Sequence, residues 1–168
     1  RGSARKNEVY VNAPIVTDAA TQPARVATVN VDKLVGGYGA TATDNTVEIL
    51  AGTLTGSVYG GYATTAGTPA TTGASPTAEV SALRNNKVTL RDGVTVTGNV
   101  YGGYAAADAS NMTSATDSNT INLYKAVIGG TIYGGMAQGG SDTGNVYLKS
   151  NYNELYIHGG TYRGNIYA

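Results

Sequence analysis

Acidic residues are the first place to look for hydrolysis or elimination on a sugar chain, which needs two carboxyl groups about 5–9.5 Å apart. Glu48 lies in an alternating apolar segment whose counterparts elsewhere in the chain carry Thr89, Asn122 and Tyr156, Asp92 lies at a bend, and Asp108, Asp117 and Asp142 fall in polar connectors. Glu48 and Asp92 belong to neighbouring repeats but to different corners, so no acid/base pair is expected. His158 is the one histidine; its counterparts are Leu50, Arg91 and Tyr124, and it lacks a partner for a Ser-His-Asp arrangement. A metal site on one histidine without cysteine would need clustered carboxylates, which the spacing does not supply. Gly139-Gly140-Ser141-Asp142-Thr143-Gly144-Asn145 is similar to a calcium-binding turn, but it occurs once, without the nonapeptide period that lets successive turns share an ion, and reads as an Asx-rich loop. Thr53-x-Thr55 and Thr95-x-Thr97 hint at an ice-binding face, which Ile128-Gly129-Gly130 and Thr161-Tyr162-Arg163 break. No catalytic residue, metal or cofactor is expected.

The aromatic residues are spaced more regularly. Val58-Tyr59-Gly60-Gly61-Tyr62-Ala63 returns as Val100 to Ala105 and, with Met136 in place of a tyrosine, as Ile132 to Ala137. Alternation points Val58, Val100, Ile132 and Ile166 inward and turns Tyr59, Tyr101, Tyr133 and Tyr167 to the opposite face, where they should form a ladder. The pairs Gly60-Gly61, Gly102-Gly103 and Gly134-Gly135 are expected at a corner, where the missing Cβ lets the chain bend beneath the rings. The ladder is either a stacking platform for sugar rings or a partner, or a packed cover for the glycine corner.

These residues are positioned by a repeat. Four stretches begin at Asn45, Asn86, Asn119 and Asn153, and a degenerate fifth precedes them, ending in Leu34-Val35-Gly36-Gly37-Tyr38-Gly39-Ala40. The interval from Asn to the motif Tyr is constant for Asn45, Asn119 and Asn153 and one residue longer from Asn86. Each copy opens with a two-residue apolar period, as in Val47-x-Ile49 and Ile121-x-Leu123, continues through a short segment holding Leu54, Val94 or Val96, Ile128 or Tyr162, and closes on the Val/Ile-Tyr segment. Three short strands and three glycine-marked bends make one triangular turn of roughly 20 residues in a β-solenoid. One repeat cannot bury its own apolar face, so the turns must stack, at about 4.8 Å per layer. The expected fold is all-β, a single-stranded parallel β-helix of about four to five coils. The variable stretches 64–85, 106–118 and 138–152 are expected as loops from one corner. Residues 25–168 form the solenoid, and residues 1–24, with Val9-Tyr10-Val11 as a strand and Pro14 and Pro23 after it, form an N-terminal cap or extended arm.

Composition agrees with strands and narrows the partners. The chain of 168 residues has 24 glycines and 13 tyrosines and no Phe, Trp or Cys, a profile that favours pleated surfaces and turns over helices. Eleven basic residues balance eleven acidic ones, leaving no basic stripe for a phosphate backbone, so nucleic acid is not an expected partner. No apolar run reaches the ~18–20 residues of a membrane span, and no membrane insertion by this segment is expected.

The Val-Tyr-Gly-Gly unit with its preceding Gly-x-Val/Leu-x-Gly-Asn/Ser, at 52–63, 93–105 and 129–137, resembles repeats in the passenger regions of Gram-negative autotransporter-like surface proteins and adhesins, over roughly residues 25–168. That resemblance implies a right-handed β-helix, an extracellular or cell-surface location, and a structural or adhesive role with a host glycan or receptor as partner. Pectate-lyase-like enzymes share such a fold, but here no clustered Asp ligands, catalytic Arg or stacked Asn can be placed, so a polysaccharide-degrading enzyme ranks last. Between them stands a self-assembling fibre subunit, joined to other copies or to the remainder of a longer solenoid through its edges, at Val9, Tyr10 and Val11 on one side and Ile166 and Tyr167 on the other.

Overall fold

The computed structural model describes residues 3–12, 28–65, 79–107, 113–138 and 147–168, and among these there is no helix. The chain opens with β1 (Ser3–Arg5), β2 (Glu8–Asn12), β3 (Thr28–Val29) and β4 (Lys33–Tyr38). The same sequence of elements then recurs as β5 (Thr41–Thr43), β6 (Thr46–Ala51), β7 (Thr53–Leu54) and β8 (Ser57–Thr65), and as β9 (Glu79–Arg84), β10 (Lys87–Leu90), β11 (Thr95–Val96) and β12 (Val100–Ala107). Next come β13 (Thr113–Asp117), β14 (Thr120–Leu123), β15 (Ala126–Ile128) and β16 (Ile132–Gln138), and last β17 (Tyr147–Asn151), β18 (Glu154–Ile157), β19 (Gly160–Tyr162) and β20 (Ile166–Tyr167). Every fourth strand joins the same sheet, giving four five-stranded sheets, and every pairing within them is parallel.

Four sheets replace the expected triangle of three. The three expected segments are the second, third and fourth sheets, and the additional first sheet takes β9, β13 and β17 from stretches expected to be loops throughout. Of those stretches, 66–78, 108–112 and 139–146 lie outside the described residues, as does the similarity to a calcium turn at 139–145. In sequence all three fall between a fourth-sheet strand and the next first-sheet strand. The boundary expected at residue 24 also falls outside, within 13–27; before it, β1 and β2 pair with β5 and β6 as ordinary members of their sheets.

Register stacks like on like. Val9, Val47, Val88, Ile121 and Leu155 form one column of the second sheet, Val29, Leu54, Val96, Ile128 and Tyr162 one of the third, and Leu34, Val58, Val100, Ile132 and Ile166 one of the fourth. These columns meet in one apolar core. A second, smaller core of Ala42, Ala63, Leu83 and Ala105, with Ala4 against it, joins the first sheet to the far half of the fourth. Small side chains there bring the two sheets close together.

Between the two cores runs a column of asparagines. The Nδ2 of Asn7 donates to Oδ1 of Asn45 at 2.9 Å, Asn45 to Asn86 at 2.8 Å, Asn86 to Asn119 at 2.9 Å and Asn119 to Asn153 at 2.9 Å. Each of these Oδ1 atoms also accepts the backbone N–H of the asparagine before it, at 3.1–3.2 Å. The second amide hydrogen goes to a first-sheet carbonyl, Ala4 for Asn45, Ala42 for Asn86 and Leu83 for Asn119. Asn45, Asn86 and Asn119 are fully buried and fully bonded. An amide suits a repeating stack because it donates and accepts at once, whereas stacked carboxylates would only accept and repel. The residue before each asparagine makes the turn in the left-handed region: Lys6, Asp44, Asn85, Ser118 and Tyr152 have φ of 51–59°. Asp44 also bonds Asn85 at 3.1 Å and Arg5 at 3.3 Å, and these two contacts hold its carboxyl below the usual carboxylate range.

The asparagines account for the glycine pairs. Gly60, Gly102 and Gly134 lie within β8, β12 and β16 and do not take positive φ, so the expected corner conformation is corrected to close approach. A Cβ on Gly61 would stand 2.7 Å from Nδ2 of Asn86, one on Gly103 2.8 Å from Nδ2 of Asn119, and one on Gly60 or Gly102 would strike the carbonyl oxygen of the glycine stacked on it. Both glycines of a pair face inward, so alternation breaks there and the strand passes from the larger core to the smaller.

Replacing Asn86 by Ala leaves the N–H and Nδ2 of Asn45 without their acceptor and Ala42 without its donor, and should cost about 2–5 kcal/mol of unfolding free energy. Asn7→Ala, at the solvated start of the column, should cost under about 1 kcal/mol. Equilibrium denaturation of the two variants beside the wild type measures both.

Candidate functional site

The outer face of the fourth sheet carries the most ordered set of side chains. Tyr59, Tyr101, Tyr133 and Tyr167 stand in one row, with centroids 4.7, 5.0 and 5.2 Å apart and planes within 14° of parallel. A second row that the sequence reading did not assemble, Tyr38, Tyr62 and Tyr104, stacks at 5.6 and 5.2 Å, with Met136 continuing its column. The rows meet nearly edge to face: Tyr62 lies 5.0 Å from Tyr59 at 89°, and Tyr104 lies 5.5 Å from Tyr101 at 76°. Offset stacks and edge-to-face contacts are the two favourable geometries of aromatic quadrupoles, and the face uses both.

Polar groups secure the rims. Nδ2 of Asn99 donates to the hydroxyl of Tyr101 at 3.0 Å, and Asn165 to that of Tyr167 at 3.2 Å. Nζ of Lys33 sits 4.7 Å over the Tyr62 ring, 3.3 Å from its hydroxyl, and the hydroxyl of Tyr104 donates to Oε1 of Gln138.

This geometry decides what the face can do. A sugar or a flat ligand stacks on the face of a ring, but in the ladder both faces of Tyr101 and Tyr133 are occupied by rings, and Tyr59 has Tyr101 on one face and follows Val35 in its column. Tyr59 and Tyr101 are only 8% and 7% exposed, while Tyr167 at the end of the row is 50% exposed. The middle of the row is packing; accessible aromatic surface is concentrated at its end.

The outer face of the second sheet brings together the remaining candidates. Glu48 is held by Arg91, with Oε1 2.6 Å from one guanidinium nitrogen and 2.7 Å from Nε. The same guanidinium lies 5.0 Å over Tyr124, whose other face stacks on His158 at 4.6 Å and 4°. His158 therefore has a stacking partner, a contact that the sequence did not reveal. Asp92 pairs with Lys125 at 3.6 Å, so the two carboxylates considered for acid/base chemistry answer to different cations. Asp108 and Asp142 lie outside the described residues, among which no group of three or more His, Asp or Glu could hold a metal ion. Stacked asparagines do exist, but the hydrogen-bonding capacity of Asn45, Asn86 and Asn119 is spent inside the fold.

On the third sheet, register corrects the threonine alignment. Thr28, Thr53, Thr95, Val127 and Thr161 form one outward column, and the next runs Thr55, Thr97, Gly129 and Arg163. Val127 and Arg163 interrupt the array, and a shallow groove beside Gly129 is lined by Thr95, Thr97, Val127 and Arg163.

Burial pushes the Tyr59 hydroxyl up to about 12, with the neighbouring Tyr101 phenol adding to the shift; burial raises Tyr101 as well. A phenol that ionises later folded than unfolded, where its pKa is about 10, adds stability that is complete below pH ~10 and lost as pH rises through ~12. Denaturation midpoints should fall across that window, and less steeply for Tyr59→Phe; tyrosinate absorbance should show Tyr59 among the last phenols to ionise.

Comparison with protein-family models, with curated proteins and with solved structures finds no match for this chain.

Proposed function

We propose that this chain is a structural and adhesive segment of a bacterial cell-surface or secreted protein: a non-catalytic, right-handed, single-stranded β-helix of five coils that holds its variable connectors in a fixed array. The observation that carries this reading is how the reactive side chains are used. Asparagines bond asparagines, tyrosines stack on tyrosines, Glu48 is bound by Arg91, and His158 is stacked on Tyr124. Ladders of this kind stabilise a rod, and the two carboxylates considered for acid/base chemistry, Glu48 and Asp92, pair with different cations. The segments 66–78, 108–112 and 139–146 all follow fourth-sheet strands, so their anchor points recur one above another, as a multivalent contact with a glycan or receptor would use. The resemblance of the Val-Tyr-Gly-Gly unit to autotransporter-like passenger repeats supports the surface location.

A glycan array and a host-cell binding assay with the purified chain test the proposal. Binding should fall at least tenfold when 66–78 is replaced by a Gly/Ser segment of equal length, with the circular dichroism of the strands unchanged. Pectin, alginate and glycosaminoglycans should not be turned over. A folded chain that binds neither glycans nor cells overturns the adhesive part, and turnover abolished by Glu48→Gln overturns the non-catalytic part.

A further inference from the structure

With 13 tyrosines, no cysteine and no tryptophan, this chain has phenols as the side chains that one-electron oxidation can join covalently. Two of them are aligned for coupling. Tyr62 of β8 and Tyr104 of β12 are register partners in adjacent coils, with centroids 5.2 Å apart and planes 13° from parallel. Gly61 pairs with Gly103 and Ala63 with Ala105 on either side, all four buried, so no large neighbour wedges between the rings. Both rings are half-buried and lie inside the stack, where Tyr38 precedes Tyr62 and Met136 follows Tyr104 in the column. The inner row has similar spacing with less access: Tyr59 and Tyr101 are almost fully covered, and burial makes both phenols hold their protons more tightly. An oxidised phenol becomes a neutral radical able to couple only when its hydroxyl proton leaves. Tyr62 and Tyr104 stand nearly edge-on to the inner rings at 5.0–6.0 Å, so an electron vacancy on the inner row is filled from the outer row, where solvent takes the proton.

From this geometry we infer that Tyr62 and Tyr104 form an oxidative cross-linking site, which a one-electron oxidant such as a peroxidase with hydrogen peroxide converts to a dityrosine joining adjacent coils. Each phenol gives one electron to the oxidant and its hydroxyl proton to water. The two radicals then form one carbon–carbon bond between positions ortho to their hydroxyls, and the hydrogen on each bonded carbon moves to its oxygen, restoring both phenols. The net loss is two electrons and two protons, which reduce one hydrogen peroxide to two waters. Tyr38 also stacks on Tyr62, but at 5.6 Å and 17°, so Tyr104 is the better aligned partner. The bond ties β8 to β12 and constrains the unfolded chain between them, as a disulfide would in a chain with cysteines.

This inference does not depend on the adhesive reading, and its test needs no binding partner. The full chain, at low concentration, is illuminated with tris(bipyridine)ruthenium(II) and persulfate, which together supply the one-electron oxidant, and is then digested with trypsin. Cuts after Lys33, Arg84, Arg91 and Lys125 place Tyr62 and Tyr104 in separate peptides, so mass spectrometry should find 34–84 and 92–125 joined with the loss of two hydrogens. Tyr62→Phe and Tyr104→Phe, which keep the rings and remove the hydroxyls, should each lower that product at least fivefold, with circular dichroism confirming the fold. Tyr59→Phe should change it less than twofold, as should Tyr152→Phe, although Tyr152 is 83% exposed. Chain denatured in urea should give at least fivefold less of the product, and the cross-linked chain should unfold at a higher urea midpoint than the unoxidised one. Absence of the joined peptides, an equal yield in urea, a yield that rises with protein concentration, or a link that survives either Tyr62→Phe or Tyr104→Phe would each overturn it.

Discussion

The amide-to-amide hydrogen bond between stacked asparagines constrains everything else in this molecule. A buried amide with an unfilled donor or acceptor costs about 1–3 kcal/mol, so each asparagine must find another at the same height and angle one layer away. That requirement fixes the register of the first and second sheets and places a left-handed residue immediately before each asparagine. It also leaves room for nothing larger than hydrogen at Gly61 and Gly103. Once those layers are aligned, the valine, leucine and isoleucine columns and the tyrosine rows follow from translation along the stack.

Translation also determines how side chains are used. In most folds a tyrosine or an arginine meets unlike neighbours, but here the nearest neighbour is the same position of the next layer. Tyr59 and Tyr101 are therefore packing residues although they project from the outer face of their sheet, and burial among the neighbouring side chains raises the pKa of both phenols. Where a column varies in chemistry, it forms a complementary series: Arg91, Tyr124 and His158 stack a cation and two rings, and Glu48 of a neighbouring column adds an ion pair to Arg91.

The sequence was legible where large apolar residues alternate. Val47-x-Ile49 and its counterparts, the short Leu54/Val96/Ile128 segment and the Val-Tyr segment gave three of the four sheets and the inner and outer sides of Tyr59 and Tyr101. The first sheet was hidden because its core contributions are mostly small. Ala4, Ala42 and Ala115 carry little hydrophobic signal, and β13, Thr-Ser-Ala-Thr-Asp, reads as a polar connector. The role of the asparagines was visible only as a constant interval to the motif tyrosine. An amide marks a turn as readily as a buried column, and the αL residue before it is Lys, Asp, Asn, Ser or Tyr, with no shared chemistry to betray the bend. The second tyrosine row was missed because alternation was carried through the glycine pair, where it breaks. Connector lengths account for the misaligned threonines, since nothing in a two-residue segment such as Thr95-Val96 fixes its own register.

Joining every fourth strand into one sheet has a kinetic meaning as well. The asparagine links connect residues 33–41 positions apart after the first pair, and no sheet contains a hairpin. The chain therefore has few local contacts with which to begin folding, and the earliest productive event must close two successive layers together at the full entropic cost of the intervening loops. Each later layer adds to a template already in place, so folding proceeds as growth from a seed. A defect in one layer then interrupts growth at that layer and spares those already laid down, so cooperativity is divided along the length of the rod.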